Sequence, residues 1–338
     1  MMLRNAIAAF ACVALASACS RSGGPNPHAS AGTPASAHPA APAPEVHTVS
    51  TPATMPGNPG MPPRPLDGMP LIVESPDLVH IEYRTYGHGD PAIVLVHGWS
   101  CSSAYWSAQL DELKARYTVV TVDLAGHGAS GRNRRDWSMA HYGADVATVV
   151  QHMGNAHVVL VGHSMGGPVV LEAASRLGHR VIGIIGVDTF KRIDLPPPAS
   201  DQVEKQIQPF RADFIGQMHR FVPEFLFRKS TDPGLIRKVT EDMAREPPQI
   251  AIPTLVALNA MDFASVLQNI HVPIIAINSD FGPLTNEARI RRSVPEFRAI
   301  VLKGTDHFLM MDDARQFNPV LLHEIAALAA GEHRSPAS

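Results

Sequence analysis

A chain of 338 residues with 45% hydrophobic content can bury the core of one large α/β domain and still carry added segments. Its formal charge of -3, with no dense Lys/Arg run, argues against a nucleic-acid partner. Arg132, Arg134 and Arg135, and the pair Arg291 and Arg292, are expected to be solvated faces of loops or helices.

The chain opens with Arg4, an apolar stretch from Ala6 to Ala16, and small residues up to Ala18. Residues 1–18 have the make-up of an export signal and are too short to span a membrane as a stable helix. The stretch ends "LASACS", which resembles the lipobox of bacterial lipoproteins, with Leu15 one place early. That resemblance implies lipid attachment at Cys19, a membrane anchor, and a periplasmic protein held at the outer membrane. Ordinary cleavage after Ala18 is the alternative. Cys12 leaves with the signal, so Cys101 stands alone and is expected to be a small buried or loop residue.

Residues 19–70 are rich in Pro, Ala, Gly, Ser and Thr, without aromatics. Such a segment cannot bury enough apolar surface to offset its ordering entropy, and it reads as a linker. The folded domain is expected over 71–335. "LVHIEYRTYGHGD" (78–90) alternates, as antiparallel strands do. Then come short, continuous, β-branched runs: 92–96, 117–122, 157–161, 181–187, 273–277 and 298–302. Continuous runs suit strands buried on both faces of a parallel sheet. Helical spacing separates them, as in Tyr142, Val146, Val149 and Met153, and in Phe317, Leu321, Ile325 and Leu328. The alternation predicts an α/β doubly wound sheet. The interval of about 191–270 lacks a strand. It is too long for a bare loop, and its Phe210, Phe214 and Met218 spacing predicts an inserted helical cap.

Gly162-His163-Ser164-Met165-Gly166 follows the 157–161 run and precedes a helix predicted at 164–177. It matches G-x-S-x-G, the strand–turn–helix elbow that presents a nucleophilic serine, and here the chain resembles the α/β-hydrolase family. Three further motifs extend the resemblance over about Leu71 to Gly331. "LVHGWS" (95–100) matches the turn that implies an oxyanion donor from the Trp99 N–H, with the Met165 N–H as the second. His97 is read as a structural residue of that turn. "DLAGHGAS" (123–130) matches an architectural loop, with no chemistry assigned to Asp123 or His127. "GTDHFLMMDDARQFNPVL" (304–321) resembles the catalytic-histidine loop, which implies His307 as general base.

The acid partner has two candidates. The family usually places it after the penultimate strand, where "VPIIAINSDFGPLT" (272–285) puts Gly282 at the matching position and Asp280 two residues before it. Asp280 is the expected acid. Asp188, which ends the 181–187 run, is the alternative, because some family members place the acid there. Asp306 adjoins His307 and is not expected to face it.

The resemblance implies a serine hydrolase acting on a small ester-like substrate through an acyl-enzyme. Cofactor-free carbon–carbon hydrolysis and haloperoxidase-like chemistry remain alternatives, as does a catalytically silent scaffold that binds a ligand. The silent scaffold rests on the displaced aspartate. Ser164 argues against haloalkane dehalogenases, which use aspartate at the elbow. No H-E-x-x-H, C-x-x-C, Walker or dinucleotide motif occurs, so neither metal nor cofactor is expected.

Overall fold

The computed structural model describes residues 67–331. The expected export signal, Cys19 and the proline-rich segment up to residue 66 lie outside the described residues.

The continuous apolar runs form the sheet's interior. β3 (Ala92–Val96), β4 (Thr118–Val122), β5 (Val158–His163), β6 (Val181–Val187) and β7 (Ile274–Ser279) are buried at every position. β8 (Phe297–Leu302) forms one edge and is partly exposed. β2 (His80–Tyr86) alternates, as its sequence does. An additional strand, β1 (Pro70–Glu74), pairs with it at the opposite edge, its residues alternately exposed and half-buried. The order is β1-β2-β4-β3-β5-β6-β7-β8. β1/β2 and β2/β4 are antiparallel and all other pairs parallel.

The order reverses at β3. The chain leaves β3 outward to β4, then returns past β3 to lay down β5. Open parallel sheets bind ligands at the carboxyl ends of strands beside such a switch point. Val96 lies opposite Gly162, His163 opposite Val187, and Val187 opposite Ile277. The segments that follow β3, β5, β6 and β7 therefore emerge along one rim.

Helices cover both faces. α2 (Met139–Met153) packs on α3 (Gly166–Leu177), and α1 (Ser107–Lys114) packs on the closing helix, which spans Ala314–Ala330. The interval between β6 and β7 is helical. It holds α4 (Ser200–Ala212), α5 (Phe214–Phe225), α6 (Pro233–Ala244), α7 (Pro248–Asn259) and α8 (Phe263–Leu267). Two short helices, α9 (Glu287–Ile290) and α10 (Leu309–Asp312), precede the closing helix, α11. Phe210, Phe214, Met218 and Phe221 are all buried, as their spacing implies. They belong to two helices, because the backbone extends at Asp213. Its carboxylate then accepts the Gly216 N–H and caps α5.

Arg134 departs from the sequence expectation. It is not a solvated residue: its side chain is 1% exposed and lies between Asp77 and Asp145. It donates to Asp145 at 2.8 and 2.6 Å and to Asp77 at 2.7 and 2.8 Å. Sequence composition cannot separate a forked, buried guanidinium from a solvated one, since only the chain's return brings the two carboxylates together.

Candidate active site

The elbow is a packing solution as much as a chemical one. Ser164 has a φ of 51°, in the left-handed region that strains a side-chain-bearing residue. Its N–H is held by the Val187 carbonyl at 2.9 Å, and its own carbonyl accepts the Gly167 N–H at 3.0 Å. A Cβ on Gly162 would lie 2.2 Å from the Gly166 carbonyl oxygen, and one on Gly166 would lie 2.6 Å from the Val96 oxygen. Only glycine permits α3 to start this close to β3 and β5, which leaves the serine hydroxyl at the rim.

His307 stands over it. Its Nε2 is 3.0 Å from Ser164 Oγ, and its Nδ1 is 2.6 Å from Asp188 Oδ2. A carboxylate can only accept, so Nδ1 carries the proton and Nε2 presents its lone pair to the serine hydroxyl. Asp188 is anchored through its other oxygen. Oδ1 accepts the Ser279 N–H at 2.9 Å and the Ser279 hydroxyl at 2.8 Å, and lies 2.8 Å from Lys191 Nζ. Burial alone would raise this carboxyl. Lys191 foremost, then His307, outweigh burial and hold it well below the usual carboxylate range.

The structure therefore does not bring Asp280 to His307. Asp280 continues the β7–β8 ladder, donating its N–H to the Leu302 carbonyl at 3.1 Å. Its carboxylate accepts the Gly304 N–H at 2.8 Å and pairs with Arg228. Side chains alternate along a strand. Ser279 turns toward Asp188, and Asp280 turns away from the histidine. Asp188 follows β6, which lies beside the strand that carries the elbow, and its φ of 45° turns the chain sharply there. The carboxylate beside His307 thus comes from the alternative strand, and the silent-scaffold reading loses its only support.

Two amides complete the arrangement. Neither the Trp99 nor the Met165 N–H is bonded to another group among the described residues. Met165 immediately precedes α3, whose amino end adds positive potential. The Trp99 indole Nε1–H donates to the Ala251 carbonyl in α7 at 2.8 Å, and its ring meets Phe210 and Phe214 edge-on. The cap thus fixes the residue that offers one amide. It also holds the histidine loop. The His307 N–H donates to the Leu226 carbonyl at 3.2 Å, and Asp306 accepts the Arg228 N–H at 3.0 Å and the Thr231 hydroxyl.

The other histidines of the motifs do structural work. His97 donates from Nδ1 to the Gly98 carbonyl at 2.8 Å and accepts the Leu124 N–H on Nε2 at 3.0 Å. Burial lowers its basicity. His163 donates from Nε2 to the His307 carbonyl at 3.0 Å, and burial, then the neighbouring His307, lower it to about 3. Asp123 ties its loop by accepting the Ser103 and Ala129 N–H groups at 2.7 and 2.9 Å. Cys101 is buried, its thiol 3.2 Å from the Trp99 carbonyl, and burial pushes that thiol far up. It is therefore not a competing nucleophile. Among the described residues no group of His, Cys, Asp and Glu could hold a metal ion.

Ser164, His307 and the two amide-bearing residues line a cavity of about 200 Å³. Phe221, Phe225, Leu226, Leu258, Phe263 and Phe308 make its wall largely apolar. A family model described as "Alpha/beta hydrolase family" matches residues 93–320, spanning β3, the elbow and the histidine loop. The chain belongs to the α/β-hydrolase family.

This hydrolase is similar to a non-heme haloperoxidase of Rhodococcus erythropolis, 30% identical over 277 residues, covering 75% of this chain and 98% of that protein. It is also similar to a bifunctional esterase/perhydrolase of Acinetobacter calcoaceticus, 31% identical and covering 62% of this chain and 80% of that protein. Its fold matches a bromoperoxidase from Bacillus anthracis with a TM-score of 0.67 at 21% identity, covering 76% of this chain and 100% of that one. Two residues of the hydrolase site had no signal of their own in the sequence. Ser279 can be found only from the β6–β7 register, and Lys191 only once Asp188 is known to face the histidine.

Proposed function

We propose that the protein is a serine hydrolase that cleaves carboxylic esters through an acyl-enzyme on Ser164. The observation that carries the reading is the unbroken contact from Ser164 Oγ through His307 to Asp188, opening on an apolar cavity. His307 takes the hydroxyl proton as Ser164 Oγ bonds to the acyl carbon. The carbonyl oxygen becomes an oxyanion facing the Trp99 and Met165 N–H groups, a contribution of several kcal/mol in such sites. His307 returns the proton to the leaving alcohol. It then deprotonates water, which attacks the acyl carbon, and it returns that proton to Ser164 Oγ as the acyl–oxygen bond breaks and the acid leaves. Asp188 keeps the imidazole in the required tautomer and stabilises its charged form without accepting the proton.

The test is turnover of p-nitrophenyl acetate, butyrate and octanoate. The parent is expected to hydrolyse at least one of them, and Ser164→Ala to lose about a thousandfold or more in kcat. Equal turnover by both overturns the reading.

A second reading is supported by the haloperoxidase and perhydrolase relatives. In it, hydrogen peroxide replaces water as acceptor, so the acyl-enzyme yields a peracid and free serine. Peracid formation from an ester and peroxide, absent in Ser164→Ala, is the expected outcome; none in the parent excludes it.

We propose further that the chain is exported and anchored by lipid at Cys19, a reading supported by "LASACS". Detergent-phase partitioning that is lost in Cys19→Ser is expected. Equal partitioning of the two contradicts the anchor.

A further inference from the structure

Asp188, the carboxylate beside His307, is also touched by a cation. Lys191 Nζ lies 2.8 Å from Asp188 Oδ1 and 3.4 Å from the Phe281 carbonyl, with a side chain only 14% exposed. Ser279 would suffice to hold that oxygen, since it donates from both its backbone and its hydroxyl. The ammonium therefore adds charge to an oxygen that already accepts two hydrogen bonds. It sits on the cavity wall, three residues after the acid and in the segment that enters the cap. That segment is itself secured: Arg289 donates to the Lys191 carbonyl at 2.9 Å and pairs with Asp194 at 2.7 Å. Lys191 is thus held on a fixed strut.

We propose that Lys191 is a positioning residue that tunes the basicity of the triad: its ammonium shares the Asp188 carboxylate with His307. This rests on the triad reading above. The consequence follows from electrostatics. A general base works only when unprotonated. A carboxylate partly neutralised by a second cation stabilises an imidazolium less than a free one does. Lys191 thereby keeps His307 available as a base in more acidic solution.

Lys191 contacts the acid that His307 uses, and Arg192, the next residue, also lines the cavity. Asp188 and Lys191 come from the segment after β6. His163 comes from the elbow, with its ring 4.9 Å away between centroids, and burial keeps it neutral at ordinary pH. From the histidine's own loop, Asp306 is turned to the Arg228 N–H and to Thr231, and Asp312 accepts the Asp306 N–H at 3.2 Å. From the cap, Arg228 faces Asp280 and Asp306. From the end of β7, Asp280 is occupied by Arg228 and Gly304.

The experiment compares the parent, Lys191→Met and Lys191→Arg across about pH 4.5–9, a range that spans the ordinary value of an unperturbed imidazole. It follows kcat/KM for a p-nitrophenyl ester and, independently, the rate constant for labelling by a fluorophosphonate. In Lys191→Met the acid limb of both profiles is expected to move to higher pH by on the order of one pH unit. Lys191→Arg keeps the cation and should return the limb toward the parent position. A merely structural lysine would lower activity at every pH and leave the limb in place, and that result overturns the proposal. The labelling arm separates the two claims. If the parent labels but hydrolyses no ester, the substrate reading fails while the limb still judges Lys191. If the parent does not label, the triad reading fails and the inference fails with it.

Discussion

Replacing Asp188 by Asn exchanges one oxygen for an NH2 group and should disable the triad through the placing of one hydrogen. The Ser279 N–H is an obligate donor, and the Lys191 ammonium can only donate. Both point at the Asp188 Oδ1 position, with Ser279 at 2.9 Å and Lys191 at 2.8 Å. They dictate how a carboxamide must sit. In Asp188→Asn the oxygen stays toward Ser279 and Lys191, and the NH2 group turns to His307. The imidazole must then offer Nδ1 as an acceptor, which places its proton on Nε2, against Ser164 Oγ. The serine loses its base without any change of shape. A wrong-tautomer triad of this kind loses about 10⁴ in kcat, or about 5.5 kcal/mol of barrier. Asp280→Asn keeps an acceptor for Gly304 and loses only a partly exposed pairing with Arg228, the two side chains being 31% and 30% exposed. It should cost less than about threefold. The assay is ester kinetics on both variants, with circular dichroism and melting curves to establish folding. A folded Asp188→Asn within about tenfold of the parent, beside an Asp280→Asn reduced about a hundredfold or more, refutes the reasoning.

Three other outcomes follow from the fold. Arg134→Met leaves the fully buried Asp145 carboxylate without its counter-ion, and urea unfolding should show a loss of about 3–5 kcal/mol. A loss below about 1 kcal/mol would mean that the buried pair contributes little. Glu246 is buried, its Oε1 has no partner among the described residues, and burial raises it from 4.5 to about 7. A raised carboxyl favours the fold when protonated, so its contribution is complete below about pH 4.5 and is lost as pH rises through about 7. Glu246→Gln should therefore raise Tm by several degrees at about pH 8, equivalent to about 3 kcal/mol, and by much less at about pH 5; an equal change at both values contradicts the assignment. Trp99→Phe removes the bond to the Ala251 carbonyl while leaving the backbone N–H, and kcat should fall about tenfold with little change in KM. A rise in KM at constant kcat would place Trp99 in substrate binding instead.

The sheet is legible in the sequence because burial on both faces writes itself into a strand as an unbroken apolar run. The runs at 92–96 and 181–187 match their strands in full. The elbow is legible because two glycines and a serine must coincide with a strand end. The cap is legible as an interval without strands, although the Asp213 break is hidden inside a continuous apolar spacing. The acid is not legible, because its identity depends on which strand end faces His307. Nearness to a family position favours Asp280, and the alternation between Ser279 and Asp280 decides against it. Arg134 is hidden for a related reason: a cluster of arginines looks solvated until Asp77 and Asp145 converge on one of them.

The central claim is that Ser164 is the nucleophile. Its most direct test is a fluorophosphonate reaction followed by intact mass and peptide mapping. One covalent adduct per chain is expected, on the peptide carrying Ser164, absent from Ser164→Ala and formed more slowly in Asp188→Asn. An adduct on another residue, or none on the folded parent, contradicts it.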